Sequence, residues 1–263
     1  MRVYCPSFGS KIDYSPMRNF WTQLPKPFFV MAPMADVTDA AFRRLFARYG
    51  KPDVTWTEFV SADGLCHPVG RKVLVTDLLY TESERPIVAQ VFTAHPERMC
   101  EAAALIAGLG FDGLDINMGC PDKSIMKQGA GAKLMQDPTL AQALIAAAKE
   151  GVAGQIPVSV KTRIGFNTNE LETWLPALLD AQPAAITVHA RTKKEMSLVP
   201  AQWEHVTRAV ELARGSGVFI LGNGDVKSMA EARARVEETG CDGVMIGRGL
   251  FGNPWFFTES FPE

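Results

Sequence analysis

Eight apolar runs of strand length, most of them spaced by amphipathic stretches of helix length, recur from about residue 28 to about residue 251. That alternation is what most limits the folds open to the chain. The strand candidates are 28–31, 54–58, 87–92, 113–117, 157–161, 185–189, 218–222 and 243–246. Helices are expected over 39–49, 96–109, 138–149, 170–180, 202–213 and 228–239, several opened by Asp, Ser or Pro in the manner of helix starts. Most strand candidates are apolar along nearly their whole length, as parallel strands covered by helices must be. An open doubly wound sheet would carry a glycine-rich turn after its first strand, but here the first strand runs into Ala32-Pro33-Met34-Ala35-Asp36. The expected fold is therefore α/β, a parallel eight-stranded (β/α)8 TIM barrel.

Polar residues punctuate this pattern at one place, the end of each strand. Glu58, Gln90, Asn117, Lys161, His189, Asn223 and the pair Gly247-Arg248 each fall at or just past the end of a different strand. In a barrel these ends converge on one mouth, where such folds keep their chemistry. The fourth strand runs into Asn117-Met118-Gly119-Cys120-Pro121, in which Gly119 and Pro121 break regular structure on either side of a thiol. A single cysteine after a strand is often a small buried hydrophobe. Asn117 and the glycine-rich run Gln128-Gly129-Ala130-Gly131-Ala132, expected to be a loop able to close over a ligand, point instead to a functional thiol.

The loops after the seventh and eighth strands, Gly222-Asn223-Gly224-Asp225 and Gly247-Arg248-Gly249, have the bare backbone that lets N–H groups approach an anion. Arg248 adds a forked cation, and these are the two loops that form the recurrent phosphate site of such barrels. Lys161 ends the fifth strand, where an ammonium needs an anionic or electron-rich partner. His189 is either a satisfied core histidine or a ligand contact, and Gln90 offers a donor and an acceptor to a planar amide-like edge. A phosphate grip, a cation and an amide together suit flavin mononucleotide.

The 263 residues are 47% hydrophobic, enough for one large domain. Residues 1–26 read as an N-terminal extension, 27–257 as the catalytic barrel and 258–263 as a short tail. Five cysteines lack C-x-x-C spacing, so no metal site or disulfide framework is expected. No run approaches the roughly 20 apolar residues of a membrane span, and a cytoplasmic protein is expected. The net charge of −2 counts against a nucleic-acid partner, whereas the cluster Lys161, Arg163, Arg191, Lys193 and Lys194 counts for one.

Taken in order, Ala32-Pro33-Met34-Ala35-Asp36-Val37-Thr38-Asp39-Ala40-Ala41-Phe42-Arg43, Asn117-Met118-Gly119-Cys120-Pro121, Val160-Lys161-Thr162-Arg163-Ile164-Gly165, Val188-His189-Ala190-Arg191-Thr192-Lys193, Gly222-Asn223-Gly224-Asp225 and Met245-Ile246-Gly247-Arg248-Gly249 resemble the flavin-dependent tRNA-dihydrouridine synthases. The resemblance implies reduction of a uridine in tRNA to 5,6-dihydrouridine by FMN, itself reduced by NADPH. It implies flavin contacts at Pro33, Met34, Ala35, Gln90 and Lys161, and phosphate-side contacts at His189, Asn223, Gly224, Asp225, Gly247 and Arg248. It further implies hydride transfer from flavin N5 to uracil C6 with Cys120 protonating C5. Asn117 and Arg163 would contact the uracil, and Arg191 and Lys193 would lie near the RNA backbone. Two departures stand out. Asp36 sits where that family commonly has glycine, and the helical tRNA-binding domain expected after the barrel is missing from the sequence. The competing expectations are another FMN barrel acting on a free small molecule, of dihydroorotate dehydrogenase-like or ene-reductase type, and a non-catalytic barrel that binds flavin or tRNA.

Overall fold

The computed structural model describes residues 19–258; Cys5, the first part of the expected N-terminal extension and most of the expected tail lie outside the described residues. The strands are Phe28–Met31 (β1), Thr55–Ser61 (β2), Ile87–Phe92 (β3), Gly113–Met118 (β4), Val158–Arg163 (β5), Ala185–His189 (β6), Phe219–Asn223 (β7) and Gly243–Ile246 (β8). They form one eight-stranded sheet in the order β1-β8-β7-β6-β5-β4-β3-β2, all neighbours parallel. A short seam closes it: Val30 bridges Val54, Met31 N–H donates to Val54 O at 3.1 Å and Asp53 N–H donates to Phe29 O at 2.9 Å. The expected barrel is the observed one.

Nine helices accompany the strands among the described residues: Ala40–Tyr49 (α1), Ala62–Cys66 (α2), Pro68–Leu74 (α3), Pro96–Gly108 (α4), Lys123–Lys127 (α5), Pro138–Val152 (α6), Leu171–Asp180 (α7), Glu204–Ala213 (α8) and Met229–Thr239 (α9). The six long ones are those the sequence pattern marks. Three of them are capped at their starts by side chains, the carboxylates of Asp39 and Asp137 and the hydroxyl of Ser228 accepting from the N–H groups of Phe42, Leu140 and Glu231. Helices α2, α3 and α5 are too short to display a 3.6-residue period and carry no such signal.

Strand residues are buried on both faces, as a sheet lined by side chains inside and helices outside requires. Part of the expected N-terminal extension belongs to the core. The short 3-10 turn Phe20–Thr22 drives Trp21, 1% exposed, into the floor of the barrel against Phe28, Trp56 and Phe219. Trp21 thus closes the end opposite the chemistry. Trp21→Ala is expected to destabilise the fold by about 3–5 kcal/mol, as emptied aromatic core sites do; urea denaturation checks it. No helix among the described residues is long and apolar enough to cross a membrane.

Candidate active site

The mouth is built around the turn that follows β4. Side chains alternate along that strand, so Asp115 and Asn117 share the inward face. Asn117 is 5% exposed. Its Oδ1 accepts from the backbone N–H of Gly119 at 3.2 Å and of Cys120 at 2.9 Å, while its Nδ2 donates to Gln90 Oε1 at 3.0 Å. The amide oxygen therefore holds the turn that presents the thiol, and the amide nitrogen anchors the side chain to β3. From behind, Ala132 N–H donates to Cys120 O at 2.9 Å. Gly131 adopts φ 60°, and a Cβ there would lie 2.8 Å from the same carbonyl oxygen. The glycine-rich run 128–132 is thus a buttress under the turn, with Ala130 and Ala132 fully buried, and not a loop that closes over a ligand. Glycine content alone signals a flexible backbone; the packing that requires bare backbone at Gly131 is a tertiary contact.

Cys120 is half-buried. Burial pushes its pKa up, against the opposite pull of Lys161 and Arg163. The sulfur therefore keeps its proton at neutral pH, the state a proton donor needs.

Lys161 stands in the mouth at the end of β5, with Nζ donating to Asn223 Oδ1 at 3.2 Å across the barrel. Burial, followed by the charge of Arg163, pulls its pKa down to about 8, although Asp115 opposes this. Asn223 is itself fixed by donating from Nδ2 to Met245 O at 2.7 Å. His189, also half-buried, accepts at Nε2 from Arg191 Nη1 at 3.1 Å, because a guanidinium can only donate. That assigns the proton to Nδ1. Burial and the cations Arg163, Lys161, Arg191 and Arg248 hold its pKa well below the ordinary histidine value, so the ring is neutral.

Asp225 organises the loop after β7. Its carboxylate accepts from Arg191 Nη2, from Arg248 Nη2 at 3.1 Å and from Ala201 N–H at 2.9 Å. Burial works against the charge, yet the Ala201 N–H and Arg191 keep its pKa below the usual carboxylate value. The acid orients two arginines toward the same space.

Lys161, His189, Asn223, Gly224, Asp225, Gly247 and Arg248 line one cavity of about 460 Å³ with Pro33 and Met34. Arg191, expected beside the RNA backbone, also lines it and is 2% exposed, with Nε bound to Val199 O at 2.6 Å. It faces this cavity and not the outer rim. Cys120, Ala35 and Lys193 line a second cavity of about 790 Å³, with Phe59, Phe92 and Met196. The two adjoin, since the consecutive residues Met34 and Ala35, and again Met196 and Ser197, divide between them.

Three expected site residues line neither cavity and serve the framework: Asn117, which holds the cysteine turn, Gln90 and Arg163. Gln90 is fully buried and lines neither cavity; its Nε2 donates to Asp115 at 2.6 Å and its Oε1 receives Asn117. Arg163 donates from Nε to Gly119 O at 2.9 Å and from Nη1 to Thr192 O and Met196 O at 3.1 Å each, tying the cysteine turn to the loop after β6. Phe59, Phe92 and Asp115 were not singled out from the sequence. Nothing in the sequence sets the phenylalanines apart from core residues, whereas Asp115 carries a signal, a polar residue two positions before Asn117 on the same face of a strand. The left-handed φ of 58° at Asp36 explains a preference for glycine there, and its N–H donates to Glu58 Oε1.

Fold and site together define a TIM-barrel protein with an arginine-bearing cavity and a thiol-bearing cavity side by side at the carboxyl-terminal mouth of its strands. The family model for dihydrouridine synthases matches residues 30–262. A probable tRNA-dihydrouridine synthase 2 of Bacillus subtilis (strain 168) is 43% identical over 248 residues, covering 93% of this chain and 75% of the relative. A probable tRNA-dihydrouridine synthase of Staphylococcus aureus (strain COL) is 41% identical over 245 residues, 92% and 74% of the two chains. The chain belongs to the dihydrouridine synthase family, a family of oxidoreductases. Among solved structures, histamine dehydrogenase from Rhizobium sp. 4-9 shares the fold with a TM-score of 0.62 at 13% identity, over 87% of this chain and 44% of that one. The 6-hydroxypseudooxynicotine amine oxidase of Pseudomonas geniculata N1 does so with a TM-score of 0.61, also at 13% identity, over 87% of this chain and 46% of that one.

Proposed function

We propose that this barrel, residues 27–257, reduces the C5=C6 bond of a uridine in tRNA to 5,6-dihydrouridine, using FMN that NADPH reduces. The observation that carries the reading is the Cys120 thiol on the wall of a cavity that adjoins a cavity lined by Arg191 and Arg248. The residues fit FMN on their own chemistry. Arg248, Arg191 and neutral His189 meet at one end, as a phosphate requires, and Gly247 lends bare backbone to the same wall. Lys161 supplies a cation suited to the pyrimidine edge of the ring. When bound, the flavin supplies hydride from N5 to uracil C6.

The chain's own residues do the rest. Arg248 and Arg191 bind the phosphate, oriented by Asp225, with Asn223, Gly224 and Gly247 around it. Pro33, Met34 and Ala35 wall the ring. Phe59 and Phe92 give the second cavity an apolar face on which an unstacked base can lie, and such stacking offsets the few kcal/mol of leaving the RNA stack. Asn117 and Arg163 hold the cysteine turn against the base, and Cys120 Sγ gives its proton to C5. Lys193, with the exposed Lys194, Lys123 and Lys127, offers a basic rim to phosphates on a chain whose net charge is −2.

The direct test is anaerobic. Reduced, FMN-loaded protein is mixed with unmodified tRNA and reoxidation is followed at about 450 nm, the flavin absorption band. Reoxidation with dihydrouridine formed is expected. Reoxidation by free pyrimidines alone would assign a small-molecule reductase instead. Arg248→Ala is expected to weaken FMN binding about 10–100-fold, the loss of one charge-assisted hydrogen bond; quenching of flavin fluorescence on titration measures it.

A further inference from the structure

Asp115 is fully buried inside the barrel, and none of the roles above uses its charge. Its oxygens accept from Gln90 Nε2 at 2.6 Å and from Ser159 Oγ at 2.5 Å. Through Gln90 Oε1 and Asn117 the same chain of hydrogen bonds continues to the backbone N–H of Cys120. The register of β4 on β5 sets Asp115 beside Ser159 and Asn117 beside Lys161, so the carboxylate lies one inward layer below the lysine. The groups that act on it are Gln90 of β3, Ser159 and Lys161 of β5 and Trp56 of β2, of which only Lys161 is charged. The Trp56 indole N–H closes no hydrogen bond, although its proximity favours the ionised acid.

A neutral asparagine would satisfy both donors: its Oδ1 can accept from Gln90 and its Nδ2 can donate to the Ser159 hydroxyl. It would do so without the cost of burying an anion, so the charge itself needs a reason. Lys161 supplies one, since a cation drawn out of water at the mouth requires a counter-charge. Burial raises the Asp115 pKa to about 6, which leaves it ionised at neutral pH.

We propose that Asp115 is a positioning residue for the reaction: its charge keeps the Lys161 ammonium protonated, and its hydrogen bonds through Gln90 and Asn117 fix the turn that presents Cys120. This rests on the reading of Lys161 and Cys120 given above, but the coupling is a property of the flavin-free chain. It can be measured without substrate.

The test is competitive acylation of lysines on the flavin-free protein across pH 6–10, read peptide by peptide by mass spectrometry. In Asp115→Asn the midpoint of Lys161 is expected to fall by about one unit, a roughly tenfold loss of proton affinity, because the opposite charge in the next inward layer, which raises that midpoint, is gone. Ser159→Ala, which removes one hydrogen bond but keeps the carboxylate, is expected to leave the midpoint in place. An unchanged Lys161 midpoint in a folded Asp115→Asn protein overturns the proposal. If that variant does not fold, the reciprocal measurement decides. In Lys161→Met the protonation midpoint of Asp115, followed by its carboxyl carbon resonance, must rise by a similar factor, and an unmoved midpoint overturns the coupling. Failure of wild-type protein to reduce tRNA would strike the proposed function and leave this result intact.

Discussion

Cys120→Ala is expected to bind FMN as the wild type does, to be reduced by NADPH at an ordinary rate, and to lose about 10²–10⁴-fold in reoxidation by tRNA. The separation follows from where the sulfur sits. Cys120 lines the second cavity and not the one that Arg191 and Arg248 line, so its removal leaves the proposed flavin contacts untouched. Nor does it release the turn, which hangs on the backbone N–H groups held by Asn117 and on the carbonyl held by Ala132. What is lost is the proton. A serine there would keep the shape and donate far less readily, so Cys120→Ser should resemble the alanine variant more than the wild type. Stopped-flow absorbance of the two half-reactions is the measurement, and wild-type reoxidation by tRNA in the alanine variant would remove Cys120 from the mechanism.

How much of this site is legible in the sequence depends on which force fixes each residue. Strand alternation and helix caps are local, so β1, β3, β6 and β8 fall where the apolar runs put them and the remaining strands shift by a few residues. The convergence of Lys161, His189, Asn223 and Arg248 follows from topology alone, because the ends of parallel strands must meet at one mouth. Side-chain direction beyond the strand end is a different matter. Arg191 turns inward because Asp225, Val199 O and His189 wait for it there, partners from other segments that no spacing reveals. Gln90 is held by Asp115 and Asn117 for the same reason, and the 128–132 run packs under Cys120 where its composition suggested a mobile loop. Trp21 lies in the segment that reads as an extension; its burial on Trp56 and Phe219 depends on a barrel floor that exists only in the fold.

Lys161→Met is expected to slow uridine reduction about 10²–10³-fold, the loss that follows removal of a fixed charge from a site where negative charge develops. Methionine keeps most of the side-chain length, so the mouth stays filled and the deficit is electrostatic. Two signatures set it apart from general damage. The first is pH. Lys161 is an ammonium below its midpoint of about 8 in the flavin-free protein, and an anionic ring beside it would move that midpoint upward. Wild-type activity should therefore fall on an alkaline limb at or above about 8, present in Cys120→Ala and absent in Lys161→Met. The second is stability of the flavin-free chain. The folded midpoint lies below the ordinary lysine value of 10.5, so carrying the charge costs stability below about 8, and that cost is relieved as pH rises toward 10.5. Thermal melts between pH 7 and 10 should lose this contribution in the methionine variant. A Lys161→Met protein that kept the alkaline limb and wild-type turnover would show that the cation at the mouth serves the fold alone.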